Sequence, residues 1–375
     1  MTIIADALKG LKVSPKEIAD RSRLPIGRVQ EILAGQSAAI SEVRAIASGL
    51  RIPLHLLARS QLSSETGAIR PLFRGTKKGE TAYDLTVEKV ASFVEAALEI
   101  LPIRNELPDW LASFQPTERT YAEADRLAKE FRQIVYAEHE TQPASDLFEV
   151  LGSLDGCIVS KLGYSRYEGV SLIAGNYCFI FVSPRFSGRM LFTAGHELGH
   201  LIAHHNGERR ALFERPSDIA TFGRHSKEEA FVDAFASCLL LPDIGVGRSL
   251  HAFREHYDVS SINLTDLELL LLARFYGVSF EVAARRCEDL GLLPAGVAHG
   301  LADMLRKDFG SPEKRADELQ LPARPDVKFP AISAALAEAL SEKINLGEVS
   351  IGWAADRLGF TLGEILAANT RDLQL

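Results

Sequence analysis

No stretch of about 18 uncharged apolar residues occurs in the 375-residue sequence, so it offers no helix able to span a bilayer. The first residues also lack the basic start, apolar run and small-residue cleavage site of a secretory signal. Both absences point to a cytoplasmic protein with no membrane partner. Cysteine is scarce: Cys157, Cys178, Cys238 and Cys287 lie far apart without a CxxC pair. That spacing excludes a disulfide framework and a cysteine zinc site, leaving buried thiols.

What is present is ordinary globular material. With 46 % hydrophobic and 25 % charged residues, the chain is long enough for two or three cores. Its net charge of -8 is uneven, because residues 1–60 carry nine Lys/Arg against five Asp/Glu, a local net of +4, while the remainder carries 33 against 45. Only the N-terminal end suits a polyanion.

In "SPKEIADRSRLPIGRVQEILAGQ", Ser14 and Glu17 make a capping box, and Ile18, Ala19 and Ser22 give a short helix one apolar face. Leu24 and Pro25 break it. A second helix follows with Val29, Ile32 and Leu33 inward and Gly35 closing it. Over about 60 residues this resembles the helix-turn-helix domain of the Xre/Cro repressor family. The resemblance implies that Ile26, Gly27, Arg28, Gln30 and Glu31 approach duplex DNA, with Arg28 and Gln30 as the base readers. A small bundle used for protein contacts is the other reading of the same pattern.

Residues 61–116 read as a polar, Gly-rich linker and a helical connector, "YDLTVEKVASFVEAALEIL". Beyond a helix at "AEADRLAKEFRQIVYA" come strand signals: "CIVSKL", then "SLIA" and "YCFIFV" joined by the two-residue turn Gly175-Asn176. They predict a small antiparallel sheet against helices. Ser187 then opens a helix that holds four of the ten histidines.

On that helix His196 and His200 stand four residues apart, roughly 6 Å along the axis and on one face, where two imidazoles can share one zinc ion. Glu197 lies too far round to be a third ligand and is free to act as a base. This is the HExxH pattern of metallopeptidases. Ala203 and Asn206 exclude the metzincin extension, and His204 is about 12 Å from His196 along the helix. The third ligand must come from another element. The best candidate is Glu229 in "HSKEEAFVDAFASCLLLP", a helix whose Phe231, Phe235 and Leu239 form a stripe suited to docking on the histidine helix. Asp233, one turn on, is placed to accept a hydrogen bond from a ligand histidine.

"GVSLIAGNYCFIFVSPRFSGRMLFTAGHELGHLIAHH" followed by "EEAFVDAFASCLLLP" resembles the ImmA/IrrE family of zinc metallopeptidases, across roughly Ala122 to Pro242. Arg189, Phe192, Thr193, His196, Glu197, His200, Glu229, Asp233, Phe235, Ala236 and Pro242 fall in the family's register. The resemblance implies that His196, His200 and Glu229 hold Zn2+ and that Glu197 is the general base. Val232 stands where the family has alanine, and Gly195, a helix-weakening residue, precedes the first ligand. An oxyanion donor is not singled out among His204, His205, His225, Arg189 and Tyr276.

The tail is again helical. "VSIGWAADRLGFTLGEILAAN" repeats the pattern of a second helix-turn-helix, but residues 331–375 carry three basic against six acidic residues, which favours a scaffold or protein-binding element over DNA. The expected fold is therefore α+β and mostly helical, with a zincin-like core and a small antiparallel sheet. Its parts are a helix-turn-helix domain at 1–60, linker and connector at 61–116, peptidase core at 117–242 and a helical region at 243–375. Two functions fit: a zinc endopeptidase acting on a protein, such as a DNA-binding repressor, in a regulatory or stress-response role; or a DNA-binding transcriptional regulator that uses the zinc fold as a sensor.

Overall fold

The computed structural model describes residues 13–50, 85–137, 139–163, 165–204, 211–214 and 226–371, with isolated positions Ala5, Leu8, Leu54 and Leu57. At the N-terminal end, α1 (Pro15–Ser22) begins where the Ser14 hydroxyl accepts a hydrogen bond from the Glu17 amide, 3.2 Å away. It ends at Arg23, whose φ of 56° reverses the chain into α2 (Ile26–Leu33). With α3 (Ile40–Gly49) these helices close a separate small core of Ile18, Val29, Ile32, Val43 and Ile46. Gly49 is needed there: a Cβ on it would lie 2.6 Å from the Arg21 carbonyl oxygen.

The larger body starts with α4 (Leu85–Ile100), α5 (Asp109–Ser113), α6 (Tyr121–Val135) and α7 (Leu147–Ser153). Strands β1 (Cys157–Lys161), β2 (Gly169–Ala174) and β3 (Tyr177–Val182) follow. Between β2 and β3 both Gly175 and Asn176 have positive φ, 56° and 61°, the backbone that a two-residue hairpin requires. Then come α8 (Ser187–His204), β4 (Leu212–Glu214), α9 (Lys227–Leu240), α10 (Asp243–His256), α11 (Asp266–Tyr276) and α12 (Phe280–Asp289). The chain continues through α13 (Val297–Phe309), α14 (Pro312–Glu318), α15 (Ala334–Asn345), α16 (Ile351–Leu358) and α17 (Leu362–Arg371). No single helix among the described residues is long and apolar enough to cross a membrane.

The sheet corrects the antiparallel expectation. Its order is β1-β3-β2-β4, and β1 pairs β3 in parallel, with Cys157 opposite Cys178, while β2 pairs both β3 and β4 antiparallel. The hairpin inserts β3 between β1 and β2. Because β2 runs opposite to β1 and the hairpin reverses the chain again, β3 runs parallel to β1.

Period-two alternation then sends side chains to two cores. Cys178, Ile180 and Val182 face a layer built on α6, α8 and α9, while Tyr177, Phe179 and Phe181 face α4 and α15–α17. All four cysteines are buried and unlinked. The first core runs without a break from Leu111 to Leu321, past Pro242, so α10–α14 pack as part of the histidine-bearing body. The second joins residues 90–101 to residues 332–365, so the connector helix is one wall of a core.

Two buried arginines fix α9 by its last turn. Arg132, 2 % exposed, donates to the carbonyls of Leu239 (2.7 Å), His139 (3.2 Å), Gln142 (2.5 Å) and Glu140. Arg286 donates to the Leu241 carbonyl (2.9 Å), Asp125 (3.2 Å) and the Tyr121 hydroxyl. Carbonyls at a helix end have no partner within the helix, and a cation there complements the dipole. Burial lowers the Arg132 pKa, the cost of placing a guanidinium among carbonyls, and the charges of Asp146 and Glu140 offset that cost only in part. Replacing it by methionine, Arg132→Met, keeps the packing and strands these carbonyls. Each unsatisfied buried group costs about 1–3 kcal/mol, so a loss of at least about 2 kcal/mol is expected in a urea titration.

Candidate metal centre

The site begins with two glycines. Gly195 and Gly199 on α8 each precede a histidine, and both turn toward α9: a Cβ on Gly195 would lie 3.2 Å from the Ala236 Cβ, and one on Gly199 would lie 3.1 Å from the Val232 Cβ. The helices touch almost backbone to backbone. Gly195, read from sequence as a weakness, is therefore what lets α9 approach, and Val232 packs directly on Gly199.

That approach brings the predicted ligands together. His196 and His200 are 0 % and 1 % exposed, and their Nε2 atoms are 3.0 Å apart. Oε2 of Glu229 lies 3.5 Å from the first and 3.7 Å from the second, a cluster able to hold a metal ion. Two ligands about 2.05 Å from a tetrahedral ion are separated by about 3.3 Å, so the cluster has the right size for zinc. Oε2 of Glu229 is buried with no hydrogen-bond partner, although it faces two imidazole nitrogens. A cation between these three atoms satisfies all of them.

Asp233 sits behind His196, its Oδ1 2.9 Å from Nδ1. A carboxylate there accepts a hydrogen bond from Nδ1–H, which keeps the proton on Nδ1 and leaves the Nε2 lone pair for the cluster. Burial lowers the His196 pKa, but its hydrogen bond to Asp233, the Glu229 carboxylate facing it and the charges of Asp233 and Glu197 outweigh it, raising the value well above the ordinary range in the metal-free site. A proton and a metal compete for the same nitrogen.

Glu197 is wholly buried against the sheet. Its carboxylate occupies the space a side chain on Gly169 would need: a Cβ there would stand 2.2 Å from Glu197 Oε1 and 2.6 Å from Thr193 Cγ2. Any side chain at the start of β2 would have to displace Glu197 or Thr193. Next to it Glu168, 2 % exposed, lies 3.0 Å from Arg189 Nε and 3.4 Å from Arg185 Nε, tying the first turn of α8 to the strand. Sequence reasoning missed Gly169 and Glu168, and no local pattern marks either.

The remaining predicted residues fall elsewhere. The Tyr276 hydroxyl is hydrogen-bonded to the Thr141 carbonyl (3.1 Å) and Ser249 (3.3 Å) inside the core, which commits it to packing. His205 and His225, and the side chain of His204, lie outside the described residues. In the N-terminal unit, Arg28 is held by Glu42 at 2.8 and 3.0 Å, by Glu31 at 2.9 Å and by the Ser37 carbonyl at 2.8 Å, whereas Gln30 is exposed. Its hydrogen bonds to the Glu42 and Glu31 carboxylates raise the Arg28 pKa further, against a small desolvation cost.

Residues 161–288 match the family model described as the IrrE N-terminal-like domain, Peptidase_M78. The match supports the ImmA/IrrE resemblance and a metallopeptidase-like site; it extends past Pro242 almost to the end of α12, as the unbroken core does. No curated protein matches the sequence.

Two substitutions separate the roles. Gly169→Ala pushes Glu197 from its place without touching the histidine cluster; if Glu197 is the general base of a peptidase, turnover falls at least about 100-fold with metal content unchanged. Asp233→Asn keeps the shape and removes the charge behind His196. Competition titration with a chelator should show metal affinity about 10- to 100-fold lower on a folded protein.

Proposed function

We propose that the chain is a zinc-dependent endopeptidase whose substrate is another protein. One observation carries this reading: His196, His200 and Glu229 converge on a point of metal-site size while Glu197, the residue beside the first ligand, is held by β2. The ImmA/IrrE resemblance adds a substrate class, a DNA-binding repressor, and a regulatory or stress-response role.

Bound zinc would be held by those three side chains and would supply Lewis-acid chemistry at the scissile carbonyl. Asp233 accepts a hydrogen bond from Nδ1–H of His196, which sets the ring's tautomer and orientation. Glu197 takes a proton from the attacking water at its carboxylate and hands it to the leaving amine. Gly169 and Thr193 bound the space in which that carboxylate sits, so its position depends on the strand as much as on the helix. Arg189, fixed by Glu168, orients the first turn of α8.

A second reading, a DNA-binding regulator with the metal site as a sensor, is favoured by the N-terminal unit alone. Its cap, left-handed reversal and following helix have helix-turn-helix form, and Gln30 is exposed on the second helix. With Arg28 held in ion pairs, most DNA affinity would come from phosphate contacts and be steeply salt-dependent.

Glu197→Gln distinguishes the readings. The metal-loaded protein, incubated with lysate of its own host, should create new protein termini detectable by mass spectrometry. Glu197→Gln should retain one metal per chain and create none. A regulator that needs no base would behave identically with either residue, and equal termini from both proteins would remove Glu197 from the reaction.

A further inference from the structure

Helices α8 and α9 meet along a regular seam. On α8 the positions Gly195, Gly199 and Ala203 recur every four residues and share one face, and on α9 Ala236, Val232 and Glu228 recur at the same spacing in the opposite direction. At the first two steps the helices touch directly, Gly195 against Ala236 and Gly199 against Val232. The third step is made differently. Arg119, just before α6, donates from Nη2 to the Ala203 carbonyl at 2.7 Å and sets Nη1 3.6 Å from Glu228 Oε1. Its guanidinium also lies over the Phe231 ring of α9, 6.0 Å from the centroid.

The carbonyl is the firm contact. Ala203 belongs to the last turn of α8, where main-chain oxygens have no partner within the helix and a cation complements the dipole. The ion pair with Glu228 is long, and both side chains are about one-third exposed, so alone it contributes little to stability. Its effect is geometric: a guanidinium fixed to the end of α8 also meets the first turn of α9. Arg119 stands on a secured stretch of chain. Thr117 donates its amide (2.8 Å) and hydroxyl (3.1 Å) to the Glu123 carboxylate, and the Thr120 hydroxyl accepts from the Glu123 amide at 3.3 Å. Hydrogen bonds from Arg126 and Thr117 hold the Glu123 pKa down at about 2, so this anchor stays charged.

The histidine cluster lies between the second and third steps. His200 follows Gly199 and Glu229 follows Glu228, so the gap between them is set on one side by the glycine contact and on the other by Arg119. We propose that Arg119 is a positioning residue for the metal centre, keeping the first turn of α9 at the distance from α8 at which Glu229 Oε2 reaches both histidines. This rests on reading His196, His200 and Glu229 as metal ligands, and it is independent of substrate and reaction. Together with Arg132 it gives α6 a hold on both ends of α9: Arg132 takes the last turn and Arg119 the first.

Metal binding to the full-length protein tests this without any peptide. Arg119→Met keeps the aliphatic stem and removes every donor. Competition with a chromophoric chelator should show zinc affinity about 10-fold lower, the small end of the range for groups that orient metal ligands. The visible absorption of bound cobalt(II), which follows the number and arrangement of its ligands, should change as well. Arg119→Lys keeps the charge but replaces the planar fork with a point donor, and its affinity should fall about threefold. An arginine that merely stabilised the fold would lower the melting temperature and leave the cobalt spectrum as it is. Native zinc affinity and an unaltered cobalt spectrum in Arg119→Met, or in Arg119→Lys should the first variant not fold, would overturn the proposal alone. A native protein that takes up neither metal would overturn the metal reading and this inference with it.

Discussion

The site depends on how closely α8 can lie against α9. Each ligand histidine is preceded by a glycine, and each glycine contacts α9, at Ala236 and at Val232. The point of nearest approach is thus one residue from each imidazole, so the helix crossing itself sets the distance from His196 to Glu229 and Asp233. Glycine within a helix costs about 1 kcal/mol relative to alanine. Here the loss is offset by packing between helices that side chains would hold apart, and by a ligand cluster that would otherwise not close.

Close contact would be of little use if α9 could slide along α8. Its first turn is held by Ser226, whose hydroxyl accepts from the amide of Glu229, the third member of the histidine cluster, at 3.1 Å. Its last turn is held by Arg132 and Arg286, through the carbonyls of Leu239 and Leu241. Glu229 also stands in the first turn, where the helix dipole favours a carboxylate. Both ends are therefore anchored by groups that do not take part in the chemistry. Two buried guanidiniums are costly, and their gain lies in the carbonyls they satisfy, which no apolar side chain can do.

The histidine pair was legible because helix periodicity alone puts residues i and i+4 on one face, and Glu229 and Asp233 followed from the same rule applied to the second helix. The Gly175-Asn176 hairpin was legible for a similar reason: only certain residues tolerate positive φ. What could not be read depends on elements distant in sequence. Gly169 is required by a helix that begins 18 residues later, Arg132 by carbonyls up to 107 positions away, and the parallel pairing of β1 by where the hairpin docks. The ion pairing of Arg28 could not be read because its partner Glu42 is on another helix. Pro242 is the N-cap of α10 at the break after α9, and such a break says nothing about where apolar surface is buried: the core continues past it.

Helices α1 and α2 near one end of the chain and α16 and α17 near the other show how little of a sequence local geometry needs. A serine cap, eight residues, one left-handed position and three inward side chains suffice to fix both, and only a handful of residues coincide. The rest of each surface is free to change sign. One unit has become basic and polar and stands on its own small core, whereas the other is acidic with an apolar stripe and shares a core with α4 and the sheet. A shared backbone therefore does not imply a shared partner, because a recognition helix is defined by the charge and chemistry that it exposes.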